Sequence, residues 1–250
     1  MLLYRLGQRP LFPRFREGTE LMINSDFYKQ GARRDADTMT NRAFMMAISG
    51  FTAVFIIVAM VGASFSYGWT FGGNQWLYLG FLAVCLLASI GGGVLAHAND
   101  DPAVSVVGGA ICSGAMGLMI GPFVALFTTG SVVQAFVLAA GVVLATGFIG
   151  ALLPKDLSAW GAPLFGLLLG AIVIQFSGII LSALGLNLQL AFGILDWAVL
   201  ILFCAIMVYD LNMARRLNKT MNNAIDVAVN VFLNFANIFI RILSIMGQKK

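Results

Sequence analysis

Charge is scarce in this chain. Only 10% of its 250 residues are Asp, Glu, Lys or Arg, against about 25% in an ordinary soluble domain. With 60% hydrophobic residues and a mean hydropathy of +0.90, the chain reads as a polytopic membrane protein. Glutamate is scarcer still: Glu17 and Glu20 are the only two, and His97 is the single histidine. Metal-hydrolase patterns of the H-E-x-x-H kind therefore cannot be assembled. Cys85, Cys112 and Cys204 each lie in an apolar run without C-x-x-C or Cys/His spacing, which excludes a disulfide framework or a thiolate metal site. Ser113-Gly114 and His97 are the one pairing an intramembrane serine hydrolase could use, but Ile111 stands where a G-x-S-G motif needs glycine. The chain is expected to be no enzyme, to need no cofactor and to bind no nucleic acid.

Most of what charge there is sits in a tail and in the connectors between apolar runs. Residues Met1–Arg42 form a basic tail with Arg5, Arg9, Arg14, Arg16, Lys29, Arg33, Arg34 and Arg42, diluted by five acids. No apolar segment with a cleavage site precedes the first span, so a cleaved signal is not expected. Residues 43–250 hold seven runs of about 20 residues, the length that crosses a bilayer: Ala43–Tyr67, Leu77–Ala96, Ala103–Phe127, Val132–Leu153, Ala162–Leu184, Leu190–Tyr209 and Ile225–Met246. Every connection is short, so one all-α bundle is expected, without a second domain. Lys155, Arg215, Arg216 and Lys219 fall on the tail's side, while the alternate loops carry no Lys or Arg. The positive-inside rule then places the tail in the cytoplasm and the C-terminus outside. A bacterial inner membrane is the expected location, ahead of an organelle membrane.

The last run carries a polar stripe. Asp226, Asn230, Asn234, Asn237 and Arg241 recur at spacings of four, four, three and four, within an arc of roughly 80° on a helix. Polar groups are expensive in lipid, so the stripe is expected to face other helices or water. In the sixth run Asp196 and Asp210 share nearly one face, about 21 Å apart, with Val199, Leu200, Phe203 and Met207 between them. Two readings stand at this point: a polar conduit with acidic groups near its ends, or hydrogen bonds that merely join helices. An Asp196–Arg241 ion pair is a further candidate. Glycines at 109, 117 and 121, with Ser113, line one face of the third run and predict close helix approach; Gly92, Gly93, Gly166 and Gly170 suggest the same elsewhere.

Several segments in the second half resemble the transmembrane Bax inhibitor-motif family, whose bacterial members are called YccA-like. These are Met116-Gly-Leu-Met-Ile-Gly-Pro-Phe123, Gln134-Ala-Phe136, the loop Pro154-Lys-Asp-Leu-Ser-Ala-Trp-Gly161, Tyr209-Asp-Leu-Asn212 and Phe232-Leu-Asn-Phe-Ala-Asn-Ile-Phe239. The resemblance implies a seven-helix bundle with the last helix central, wrapped by the other six. It also implies a proton-sensitive calcium leak gated by an aspartate pair on the last two helices, held closed with help from a basic residue. Asp210 matches the first aspartate. Asn234 stands at the second, and no basic residue occupies the expected partner region Ala96–Pro102 beyond His97. Asp226 and His97 are the groups available to substitute. Taking Asp210 as level with position 234, the implied register leaves Arg241 about 10 Å short of Asp196. The alternative function is a non-conducting regulator of a membrane partner, such as a membrane-embedded protease, with the basic tail as its handle. Besides the bilayer, that protease is the partner expected; calcium enters only as a transported ion.

Overall fold

A computed structural model describes residues 38–249 apart from 99, 184 and 186–188. The part of the basic tail before residue 38 lies outside the described residues. Among the described residues seven helices follow in order: α1 Asn41–Ser66, α2 Gln75–Ala98, α3 Pro102–Val124, α4 Thr129–Leu152, α5 Gly161–Ala183, α6 Gln189–Ala214 and α7 Met221–Met246. All seven are long and apolar enough to cross a membrane, and the protein is a multi-pass membrane protein. Short 3₁₀ turns at Phe71–Gly73 and Ser158–Trp160 break two of the connectors.

Helix starts follow ordinary capping chemistry. Thr40, Asp101, Thr128 and Thr220 each accept a backbone N–H of the first turn, and Pro102 occupies the opening position of α3 where no N–H is needed. The Thr220 cap places the start of α7 four residues before the apolar run begins at Ile225. Asn222 and Asn223, too polar to read as membrane-spanning, are nevertheless buried there. Asn223 Nδ2 donates to Asn218 O at 2.7 Å, and Asn222 Oδ1 lies 2.7 Å from the Ser105 hydroxyl of α3.

The last helix is central. It packs against α1, α2, α3, α4 and α6, and with α3 it is the most buried of the seven. α5 leans on α6 and reaches α7 through Gln175. The outer faces carry large exposed side chains such as Phe65, Leu144, Phe148 and Leu167, which suits a hydrocarbon solvent. Two backbone ties close the ends of the bundle. Met39 N–H donates to Lys219 O, joining the chain before α1 to the α6–α7 connector. At the other end Phe127 and Lys249 form an isolated antiparallel bridge, and Thr128 N–H donates to Gln248 O.

The glycines divide in two. A Cβ at Gly117 would sit 2.1 Å from Ala59 O, and one at Gly92 would sit 2.5 Å from Cys112 N; these glycines let α3 touch the α1 and α2 backbones. Gly166 and Gly170 do not follow the expectation. Both are exposed on α5 with open space where a Cβ would go, because among the described helices α5 packs chiefly against α6. Gly117→Val is therefore expected to cost about 1–3 kcal/mol through overpacking, while Gly170→Ala leaves stability unchanged or slightly raised. Thermal unfolding of the two variants in detergent checks this.

Candidate functional site

The stripe on α7 is not uniform. Asp226 and Asn234 are buried, whereas Asn230, Asn237 and Arg241 are half-buried. Asn237 turns back on its own helix, its Nδ2 donating to Leu233 O at 2.8 Å. Asn234 and Arg241 each cross to α6, and they build two polar centres separated by apolar side chains.

The first centre joins Asp210 of α6 to Asn234 of α7. Asn234 Nδ2 donates to Asp210 Oδ2 at 2.7 Å, with Met207 Sδ 3.7 Å from the same nitrogen. Asp210 is only 6% exposed and Asn234 3%, so the carboxyl group sits inside the bundle with an amide as its neighbour. An amide carries both a donor and an acceptor and can serve a carboxyl group in either protonation state. The position of α6 here is fixed from the other side by α4. Gly147 lies against Met207, and a Cβ at Gly150 would fall 2.3 Å from Val208 O. Asp226 is buried two turns earlier on α7, and His97 places Nδ1 2.8 Å from Gly93 O in its own helix.

The second centre gathers three helices. Arg241 Nη1 donates to Asp196 Oδ1 of α6 at 2.6 Å, Arg241 Nη2 donates to Gln175 Oε1 of α5, and Ser244 Oγ donates to Asp196 Oδ2 at 2.6 Å. The Arg241 and Asp196 side chains are 16% and 14% exposed. The pair thus forms despite the register that opposed it. Ser244 lies one turn closer than Arg241 to the level of Asp196, and both reach one carboxylate. The guanidinium must therefore extend along α7 toward its C-terminus, and the length of that side chain covers the remaining distance. Gln175 was invisible as a partner, being a lone amide in an apolar run.

Between the centres, Val199, Phe203 and Met207 of α6 are buried. This is the apolar stretch that separates Asp196 from Asp210 in the sequence, with Leu200 partly buried beside it.

Asn212, two residues beyond Asp210, is a residue whose part was missed. It is fully buried. Its Nδ2 donates to Leu153 O at 2.9 Å and Lys155 O at 3.1 Å, and its Oδ1 accepts from Leu157 N–H at 3.3 Å. The amide is a knot that fastens the α4–α5 connector to the end of α6. Arg215 Nη1 adds a bond to Leu153 O, and Arg216 pairs with Asp156 at 3.3 Å. On this exposed connector, the Ser158 backbone N–H and hydroxyl, helped by Arg216, hold the Asp156 carboxyl below its ordinary range. Asn212→Ala takes the amide partner from the Lys155 carbonyl and the Leu157 N–H, while Arg215 still serves Leu153 O, and is expected to cost about 1–3 kcal/mol. Faster amide exchange at Leu157 would register it.

Among the described residues no group of three or more His, Cys, Asp or Glu side chains is arranged to hold a metal ion. Residues 38–250 match the family described as Inhibitor of apoptosis-promoting Bax1. An uncharacterized membrane protein of Streptococcus pyogenes serotype M6 is 24% identical over 148 residues, 55% of this chain and 61% of the relative. Another, from serotype M3, is 26% identical over 128 residues, 47% of this chain and 52% of the relative. The chain thus spans between half and two thirds of the length of these curated relatives.

Proposed function

The chain belongs to the Inhibitor of apoptosis-promoting Bax1 family, and on that premise we propose that it is a protonation-sensitive cation leak of a bacterial inner membrane, with calcium as the principal ion and Asp210 at the gate. The reading rests on one observation: a carboxyl group, 6% exposed, joins the two last helices midway along the central one. Ionisable groups inside a membrane protein are costly and serve function by default. A proton on Asp210 alters the bond that holds α6 to α7, and the apolar plug of Val199, Phe203 and Met207 lies directly along the path toward Asp196. Arg241, paired with Asp196, closes the far end of the route. Asp226 and Asn230 line its approach on the N-terminal half of α7. The tail and the α4–α5 and α6–α7 connectors face the cytoplasm in this reading.

Calcium uptake into proteoliposomes tests it. Wild type is expected to pass calcium at a rate that varies with pH, and Asp210→Asn to lower the rate several-fold and flatten its pH profile. No flux from wild type at any pH would overturn the reading. It would favour the non-conducting regulator of a membrane partner, whose mark is capture of a membrane protease by the full chain and loss of that capture without the basic tail.

A further inference from the structure

An apolar slot of about 330 Å³ opens between α1 and α4, with α3 and the central α7 behind it. We propose that this slot holds the acyl chain of a bilayer lipid, so that hydrocarbon reaches the central helix on the face opposite its polar stripe.

Four small residues, Ala59, Ala63, Gly117 and Ala236, line the slot where larger side chains would fill it. Its back wall is aromatic. Phe235 and Phe239 of α7 are parallel within 6° at 6.4 Å, and Phe136 of α4 stands edge-on to Phe235 at 5.2 Å. Ser64 brings the one side-chain hydroxyl to the lining, and that hydroxyl donates to Met60 O at 2.8 Å. Nothing in the wall invites water, which avoids apolar cavities that offer no hydrogen-bond partners. A partner helix does not fit either: at 10 Å across it displaces about 800 Å³ for each 10 Å of length. The rim residues Met60 and Val133 are exposed and continuous with the lipid-facing surfaces of α1 and α4, so the slot is a lateral inlet of the lipid interface. The lipid chain is the one occupant that is apolar, narrow and already at its mouth.

Photolabelling in liposomes tests this with the full chain. A phospholipid carrying a diazirine in mid-chain is expected to form adducts on Phe232–Phe239 of α7, which ordinary surrounding lipid cannot reach. Ala236→Phe is expected to reduce those adducts at least tenfold while labelling of exposed Leu144 on α4 stays constant. If Ala236→Phe does not fold, Ala63→Leu on the α1 side of the slot serves as the filling variant. The proposal is overturned if α7 is unlabelled in wild type, or if filling leaves the adducts unchanged. Adducts that appear only after removal of residues 1–37 would overturn it too, by assigning the slot to the tail. The readout does not depend on ion flux, so it stands apart from the channel reading.

Discussion

Arg241→Met is expected to lower unfolding free energy by about 3–5 kcal/mol, Asp196→Leu to lower it similarly, and the double variant to recover most of the loss. Each single change leaves a charge in a site where the other centre residues, Gln175 and Ser244, cannot neutralise it. Breaking a buried pair carries that cost, whereas replacing both partners by apolar groups of similar size is close to neutral. Here the pair lies among helices that meet lipid, and the side chains are 16% and 14% exposed. A double-mutant cycle in detergent, read by thermal or denaturant unfolding, gives the coupling directly. Additive single effects would show that the two side chains act independently, contrary to the 2.6 Å contact.

The second large effect concerns Asn234. Asn234→Asp is expected to give calcium flux a steeper pH dependence than wild type, up to about tenfold per pH unit for one shared proton. Asn234 Nδ2 and Asp210 Oδ2 are 2.7 Å apart, so the variant places a second carboxyl against the first. Two carboxyl groups in contact share a proton and titrate as a unit. Removing that proton sets two negative charges side by side, and the contact between α6 and α7 weakens as pH rises. In wild type the amide bonds Asp210 in either state and mutes the response. Identical pH profiles for the two proteins would refute this account. A companion readout is the melting temperature, which should fall with rising pH in the variant more than in wild type.

The fold was legible because membrane helices declare themselves by length and apolarity, and all seven were placed from the sequence. The central position of α7 followed from its stripe as well as from the resemblance, since polar residues at helical spacing need enclosure. Asp210 and Asn234 do meet. What escaped the sequence depends on contacts between distant residues. The spacing of Gly166 and Gly170 is the same whether a helix or a lipid lies opposite, and here α5 leaves that face open. Asn212 stood in a recognised motif, but its partners lie 55 to 62 residues away, at the end of α4 and in the connector after it. The Asp196–Arg241 contact was obscured because register counts backbone levels, whereas an arginine reaches past its own. The first turn of α7 was missed because two asparagines interrupt hydropathy, although both are buried against other helices.

The position of α7 also has a consequence in time. The helix that fills the centre is made after the other six described helices. Its partners on α1 and α3 are synthesised long before it, as the Thr52 hydroxyl bond to Ala228 O, 176 residues later, and the contact of Ser105 with Asn222, 117 later, make plain. Until α7 is present, the six described helices before it lack the helix most of them pack against, and Asp210 lacks its contact with Asn234. Assembly therefore cannot proceed by adding finished layers in chain order. Early helices must wait, held by the α1–α3 and α2–α3 glycine contacts, and the chain becomes one cooperative unit only when its seventh helix enters.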